Sequence, residues 1–266
     1  MTWMTHFGLA AAPFSKELAD SEFWLPPSKL CIVEQLCAAA QAHEQVMLTG
    51  DDGTGKTTVL RAARQRLQQK FRLTYCHNST LGKRDFYRQL CLALGLSPKA
   101  TAASVFYAVS GHVQELRSEQ VHPVFLLDEA HLLHQDTLDH LHILLNYEWD
   151  SKALLSLVLV GLPELQDRLA LRRNRSLYSR IHWRLQVEPL VPADTVAYLR
   201  HRLAQAGCDR ELFTNDAAAM LHEATHGAMR DIDRIAHAAL RAAAAAGHKL
   251  VERNVVLAAV GPGGAR

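Results

Sequence analysis

Eight consecutive residues, Gly50-Asp51-Asp52-Gly53-Thr54-Gly55-Lys56-Thr57, carry the spacing G-x-x-x-x-G-K-[ST] without a mismatch. A glycine loop between a strand and a helix turns successive backbone N–H groups, and the helix N-terminus, toward one point. Such a point attracts a polyphosphate. Lys56 is placed to reach the β- and γ-phosphates and the Thr57 hydroxyl to ligate Mg²⁺, with Thr58 carrying the loop into the helix. The apolar run Val46-Met47-Leu48 before the loop and the helix-like stretch from Thr58 to Gln69 after it supply the required context. Residues 50–58 are therefore expected to hold ATP with Mg²⁺.

A second constellation adds water chemistry. Pro123 is followed by Val124-Phe125-Leu126-Leu127-Asp128-Glu129, a continuous apolar run that ends in two acids. Such a run reads as a strand buried on both faces of a parallel sheet. Acids at its C-terminal end sit where open α/β sheets bind ligands. Asp128 is expected to hold Mg²⁺, directly or through water, and Glu129 to polarise the attacking water as general base. The pair follows the phosphate loop by about 70 residues with one strand candidate between, which favours hydrolysis over two acids opening an exposed helix.

The elements that must position these residues alternate in type. Strand candidates lie at 46–49, 72–76, 123–127, 154–160 and 184–188, separated by helical patterns at 57–69, 83–94, 102–118 and 134–147. This predicts an α/β fold with a five-stranded parallel sheet and helices on both faces. Ahead of it, an aromatic and proline-marked segment precedes a helix-like stretch from Lys29 to Ala42. From Pro189 the pattern becomes all-α: Pro192 to Ala206, Asn215 to Thr225 with Thr214 as cap, Met229 to Ala246, and a short helix from Glu252 to Val260. The expected organisation is a nucleotide-binding domain over 1–188 (with 1–45 as its leading segment), a helical lid over 189–261 and a tail over 262–266.

Composition sets bounds. A chain of 266 residues with 48% apolar and 21% charged content buries a real core. No stretch approaches the roughly 20 apolar residues of a membrane span, and no secretory signal pattern opens the chain. Five scattered cysteines without a C-x-x-C pair fit a reduced, cytoplasmic protein. A net charge of +2 leaves nucleic-acid binding to local patches multiplied by oligomerisation. Among fifteen histidines, His131 and His134 are three apart on a helical pattern. No acid or cysteine completes a metal set with them, so they read as solvated helix histidines.

The order of parts resembles the AAA+ ATPases over nearly the whole chain. It is most similar to the ExeA-type branch and to the transposition helpers of the TniB, TnsC, MuB and IstB group. The resembling residues are Phe7-Gly8-Leu9 with Pro13-Phe14, Leu126 to His131, Leu159-Val160-Gly161-Leu162-Pro163-Glu164-Leu165, Ser179-Arg180-Ile181, and Gly227-Ala228-Met229-Arg230-Asp231-Ile232-Asp233. The resemblance implies that Phe14 joins the nucleotide-contacting set and that Arg180 is a finger reaching a neighbour's γ-phosphate, with Arg175 as its rival. It also implies that Arg230 opens a lid helix as a sensor arginine. A finger supplied in trans requires a homo-oligomer, a ring or helical filament.

One position departs from the family's pattern. The strand ending at Val160 is expected to deliver a polar residue toward the attacking water, but Gly161 is followed by Leu162. Either a neighbour such as Asn78 substitutes or turnover is slow. In the TnsC-like proteins, helix starts corresponding to Lys83, Arg84, Lys99 and Thr101 line a filament bore and touch DNA backbone. The resemblance therefore implies a regulator of transposition that assembles on duplex DNA with ATP and recruits a transposase, with no membrane involved. The alternative is a secretion ATPase of the ExeA type. Those proteins carry a membrane span and a peptidoglycan-binding segment after the ATPase core, and this sequence reaches Arg266 with neither. A helicase needs a second RecA-like domain, and an origin-type loader a winged helix after the lid.

Overall fold

The protein is described by a computed structural model covering residues 2–15, 17, 19, 22–67, 70–76, 83–95, 102–146 and 153–261. It divides into two compact units. One gathers Ser28–Gly50 and Val59–Val187, and the other Met1–Pro27, Asp51–Thr58 and Glu188–Arg266.

The first unit is a five-stranded, all-parallel sheet with its helices. Its strands are β1 (Gln45–Thr49), β2 (Phe71–Cys76), β3 (His122–Leu127), β4 (Ser156–Gly161) and β5 (Ile181–Gln186), in the order β2-β3-β4-β1-β5. Every residue of β1, β3 and β4 is buried, as continuous apolar runs demand of strands covered on both faces. Met47 pairs with Leu159, and Leu126 with Val158. β4 lies between β1 and β3, so the ends that precede the phosphate loop and the acids stand two strand spacings apart, about 10 Å. β5 begins three residues before its expected start at 184. As an edge strand it exposes His182 and Arg184 beside buried Ile181 and Leu185, so no apolar run marks it.

α1 (Trp3–Phe7) opens the chain and α2 (Pro27–Gln41) starts at the boundary between the units. α3 (Lys56–Arg66) follows the phosphate loop; α4 (Lys83–Ala93), α5 (Ala102–Ser118), α6 (Gln135–Leu144), α7 (Glu164–Ala170) and α8 (Arg175–Tyr178) belong to the sheet unit. Its core joins Met47, Phe125 and Leu159 to Leu90, Leu138 and Leu141.

The second unit is helical: α9 (Pro192–Gln205), α10 (Asn215–Thr225), α11 (Met229–Ala245) and α12 (Arg253–Val260). The Thr214 hydroxyl caps α10 by accepting from the Ala217 N–H, as its sequence position predicts. Residues 1–45 were expected with the nucleotide-binding domain, yet Phe7, Leu9 and Phe14 pack here with Leu199, Ile232 and Leu240. The cause is a buried cation. Arg202 is 2% exposed, and its guanidinium donates to the carbonyls of Pro13 and Ser15, each at 2.7 Å, and to the Tyr198 hydroxyl, while facing the Asp233 carboxylate at 3.3 Å. A charge removed from water needs each of these partners. Two of them come from the leading segment.

Among the described residues no helix is long and apolar enough to cross a membrane. Cys76, Cys91 and Cys208 are buried, whereas Cys31 is exposed on α2.

Two stability predictions follow from particular contacts. Gly227 has φ +77°, and a Cβ there would meet the Leu190 carbonyl oxygen at 2.1 Å. Gly227→Ala adds left-handed strain to a backbone clash and should cost roughly 3 kcal/mol, a fall in melting temperature of about 6–12 °C by calorimetry. On β3, His122 stacks on His43 at 3.8 Å and meets the Ser156 hydroxyl at 3.0 Å. Burial pushes its imidazole down to about 4, with the neighbouring His43 a smaller cause. The unfolded chain therefore takes up this proton near pH 6.5 and the folded chain only near 4. Its contribution is complete above the higher value and is lost as pH falls toward the lower. Denaturant titrations from pH 7 to 5 should show stability falling with a slope approaching ~1.4 kcal/mol per pH unit from this group, and His122→Gln should remove that part of the slope.

Candidate active site

The phosphate loop leaves β1 at Gly50, whose N–H donates to the Gly161 carbonyl at 3.2 Å and extends the ladder with β4. Beyond it, the Thr54 hydroxyl and the Lys56 ammonium both donate to the Asp51 carbonyl, at 2.9 and 3.0 Å, which curls the loop onto itself. Thr54 and Lys56 are buried, while Thr57 is exposed at the first turn of α3. Gly53 takes φ +76°, and a Cβ there would lie 2.9 Å from the Cβ of Arg230. The first turn of α11 lies that close because the Arg230 N–H donates to the Gly53 carbonyl at 3.3 Å, and the exposed guanidinium of Arg230 faces Asp52 at 3.7 Å. The residues fit a polyphosphate: the first turn of α3 contains no acid, its N-terminus is the positive end of the helix dipole, and a lysine and a hydroxyl stand there.

The acid pair is held by the turn after β3. Asp128 is 7% exposed; one carboxylate oxygen accepts from the Tyr75 hydroxyl at 2.6 Å and the other from the Glu129 N–H at 2.9 Å. Tyr75, on β2, has its phenol pushed well above its usual range by burial and by this bond. Two donors on one carboxylate fix its orientation, as a metal-ligating acid requires. Glu129 has a left-handed backbone, φ 53° and ψ 36°, a conformation costing a non-glycine residue about 1–2 kcal/mol. Strain of this kind gathers at functional positions. The side chain of Glu129 is 44% exposed and therefore open to water, with its Oε2 3.6 Å from Nδ1 of His131.

His131 is not a solvated helix residue as expected. It sits in the 3₁₀ turn Ala130–Leu132 with its side chain 14% exposed, and its Nδ1 faces the Leu162 N–H at 3.4 Å. His134 caps α6 by accepting from the Asp136 N–H. The turn is clamped from α7: the Arg168 guanidinium donates to the His131 carbonyl at 2.6 Å and to the Leu133 carbonyl. Buried Asn174 donates to the Arg168 carbonyl at 2.8 Å and accepts from Gln135 at 2.6 Å. Tyr75, His131 and Arg168 were missed by sequence reasoning. The spacing Asp128-Glu129-Ala130-His131 held a signal for the second.

The remaining expected residues are spread more widely. Arg180 ends α8, partly buried, with its guanidinium donating to the Ser176 carbonyl at 2.8 Å, and Arg175 is exposed. Phe14 is 6% exposed and packs edge-on against Phe213, inside the helical core rather than in the open position of a nucleotide contact. Arg84 is exposed near the start of α4, and Lys83 begins that helix. Lys99, Thr101 and Asn78 lie outside the described residues.

Residues 41–169 match the family described as AAA domain. The chain carries an AAA ATPase domain. It is 36% identical over 272 residues to General secretion pathway protein A of Aeromonas hydrophila, an alignment that takes in 98% of this chain and 48% of that protein. The chain thus spans about half the length of this curated relative. Among solved structures, Cdc6p of Pyrobaculum aerophilum matches with TM-score 0.68 at 18% identity, over 90% of this chain and 67% of that one. Drosophila ORC bound to DNA matches with TM-score 0.68 at 20% identity, over 97% and 64%. At these identities the structures establish the fold, an AAA+ phosphate-loop sheet with helices after it.

The motifs and the resemblance would give each of these residues a task. Lys56, Thr57 and the loop N–H groups would bind the phosphates, and Asp128, with its carboxylate held by two donors, has the chemistry of a Mg²⁺ ligand. Glu129 would take the proton of the attacking water. Lys56→Ala should weaken ATP binding at least 100-fold by calorimetric titration, whereas Glu129→Gln should bind ATP normally and release phosphate at least 100-fold more slowly. Full hydrolysis by Glu129→Gln would remove that residue from the mechanism.

Proposed function

We propose that this chain is the ATPase part of a secretion-associated protein of the ExeA type, cycling between ATP- and ADP-bound assemblies. One observation carries the reading. The likeness to General secretion pathway protein A runs over 98% of the chain, so it takes in the helical unit as well as the AAA core. A likeness confined to the phosphate loop and the acid strand would be shared by ATPases of every use. The transposition reading put first on sequence grounds has less behind it. Of its four expected DNA contacts, two lie outside the described residues, and Arg84 is an ordinary exposed cation at a helix start.

The assembly half of the proposal rests on Arg180 and Arg175. A guanidinium given to a neighbouring subunit's γ-phosphate would make association depend on that phosphate, and ATP rather than ADP would favour the oligomer. Arg230, beside the phosphate loop in the helical unit, would report the same phosphate within its own chain.

The test is genetic and biochemical. Deleting the gene should reduce the release of exported proteins into the medium, and a Lys56→Ala copy should fail to restore it. Light scattering should show larger particles with ATP than with ADP, and Arg180→Ala should abolish the difference while ATP affinity stays within about threefold. Unchanged secretion, together with tight, salt-sensitive and ATP-dependent binding to two unrelated duplexes in fluorescence anisotropy, would transfer the protein to the transposition reading.

A further inference from the structure

The end of β4 carries no polar side chain of its own, and the structure shows what stands there instead. Gly161 has no side chain, and the imidazole of His131 lies in the space that one would fill. A Cβ on Gly161 would come within 3.1 Å of Nδ1 and 3.2 Å of the His131 backbone nitrogen. A methyl group at residue 161 would crowd the ring and push it back by a few tenths of an ångström. Nδ1 accepts from the Leu162 N–H at 3.4 Å and lies 3.6 Å from the Glu129 carboxylate. The first belongs to the loop after β4 and the second is the acid assigned to activate water.

The backbone that carries the ring is held in place. Arg168 holds the His131 carbonyl from α7, and Asn174 holds Arg168 in turn. Glu129 has the opposite need. Its side chain is 44% exposed on a left-handed backbone, and its charge is felt by the Tyr75 phenol. A long, half-exposed carboxylate samples several rotamers, and one oriented contact selects among them. Contacts of 3.4–3.6 Å are long for hydrogen bonds, as such contacts commonly are before substrate tightens a site.

We propose that His131 is the positioning residue for Glu129, its Nδ1 supplying at the tip of β4 the polar atom that Gly161-Leu162 lacks. Nδ1 carrying hydrogen donates to the Glu129 carboxylate. In the other neutral tautomer it accepts from the Leu162 N–H and leaves the carboxylate unheld. Neither arrangement charges the ring. The inference rests on Glu129 being the base, and the experiment separates the two claims.

Three variants decide it: His131→Phe, His131→Asn and Gly161→Ala, each assayed for ATP affinity, KM, kcat and melting temperature beside Glu129→Gln. Phenylalanine keeps the ring's volume and removes its nitrogens, whereas asparagine loses the ring but keeps an amide at the place of Nδ1. Positioning predicts that His131→Phe lowers kcat roughly tenfold or more with KM and ATP affinity unchanged, that His131→Asn restores most of the rate, and that Gly161→Ala, by displacing the ring, resembles the phenylalanine variant. A packing role predicts the reverse order, with phenylalanine active and asparagine impaired, and that result overturns the proposal. So does a His131→Phe variant that fails to fold, if His131→Asn folds and is as slow as Glu129→Gln. Should Glu129→Gln hydrolyse ATP at the full rate, the base assignment fails and this inference with it. A silent Glu129→Gln beside a fully active His131→Phe defeats the positioning claim alone.

Discussion

The pair of hydrogen bonds from Arg168 to the carbonyls of His131 and Leu133 is the interaction on which the turn carrying the acid pair depends. The chain leaves β3 and reverses within a few residues. That reversal forces Glu129 into a left-handed backbone and points carbonyls into a partly buried space where water is scarce. A guanidinium satisfies two acceptors at once with a planar fork that a lysine does not have. Without it, the turn would have buried carbonyls to satisfy and a strained residue to support, a combination costing several kcal/mol by usual magnitudes. With it, the backbone beneath the acid next to Asp128 is held, and only the side chain is left to be oriented.

How far the sequence discloses this depends on where each residue's partners come from. β1, β3 and β4 are legible because burial on both faces leaves no polar position to interrupt the run. The phosphate loop and the acid pair are legible because their partners lie within a few residues, so spacing itself encodes geometry. The edge strand β5 was misplaced by three residues because one side of it meets solvent. His131 was read as a solvated helix residue because the atoms that give it a purpose, on Gly161 and Leu162, arrive 30 and 31 residues later by way of β4. Tyr75 meets Asp128 only because β2 and β3 are neighbours in register. The motifs pointed to the fold and the chemistry. They do not separate a transposition helper from a secretion ATPase, since both readings rest on the same loop and the same acids, and the proposed choice between them rests on likeness over 98% of the chain.

The helical unit teaches the same lesson with a different residue. Arg202 looks like one more cation on an amphipathic helix, but it is buried, and its guanidinium spans 187 and 189 residues of sequence to reach Ser15 and Pro13. Those partners are backbone carbonyls, so almost any side chain at 13 or 15 leaves the bonds intact, and the tie is invisible to inspection of residue types. It binds heredity more tightly than identity. The first fifteen residues and the block after Glu188 lie far apart in the sequence, yet they are coupled, because a block without Arg202 would leave these two carbonyls unmet, and a segment that follows another path would take two partners from a buried guanidinium. Shuffling of modules in this lineage should therefore respect a seam that runs through space, with the sheet between the two ends free to diverge at its own pace.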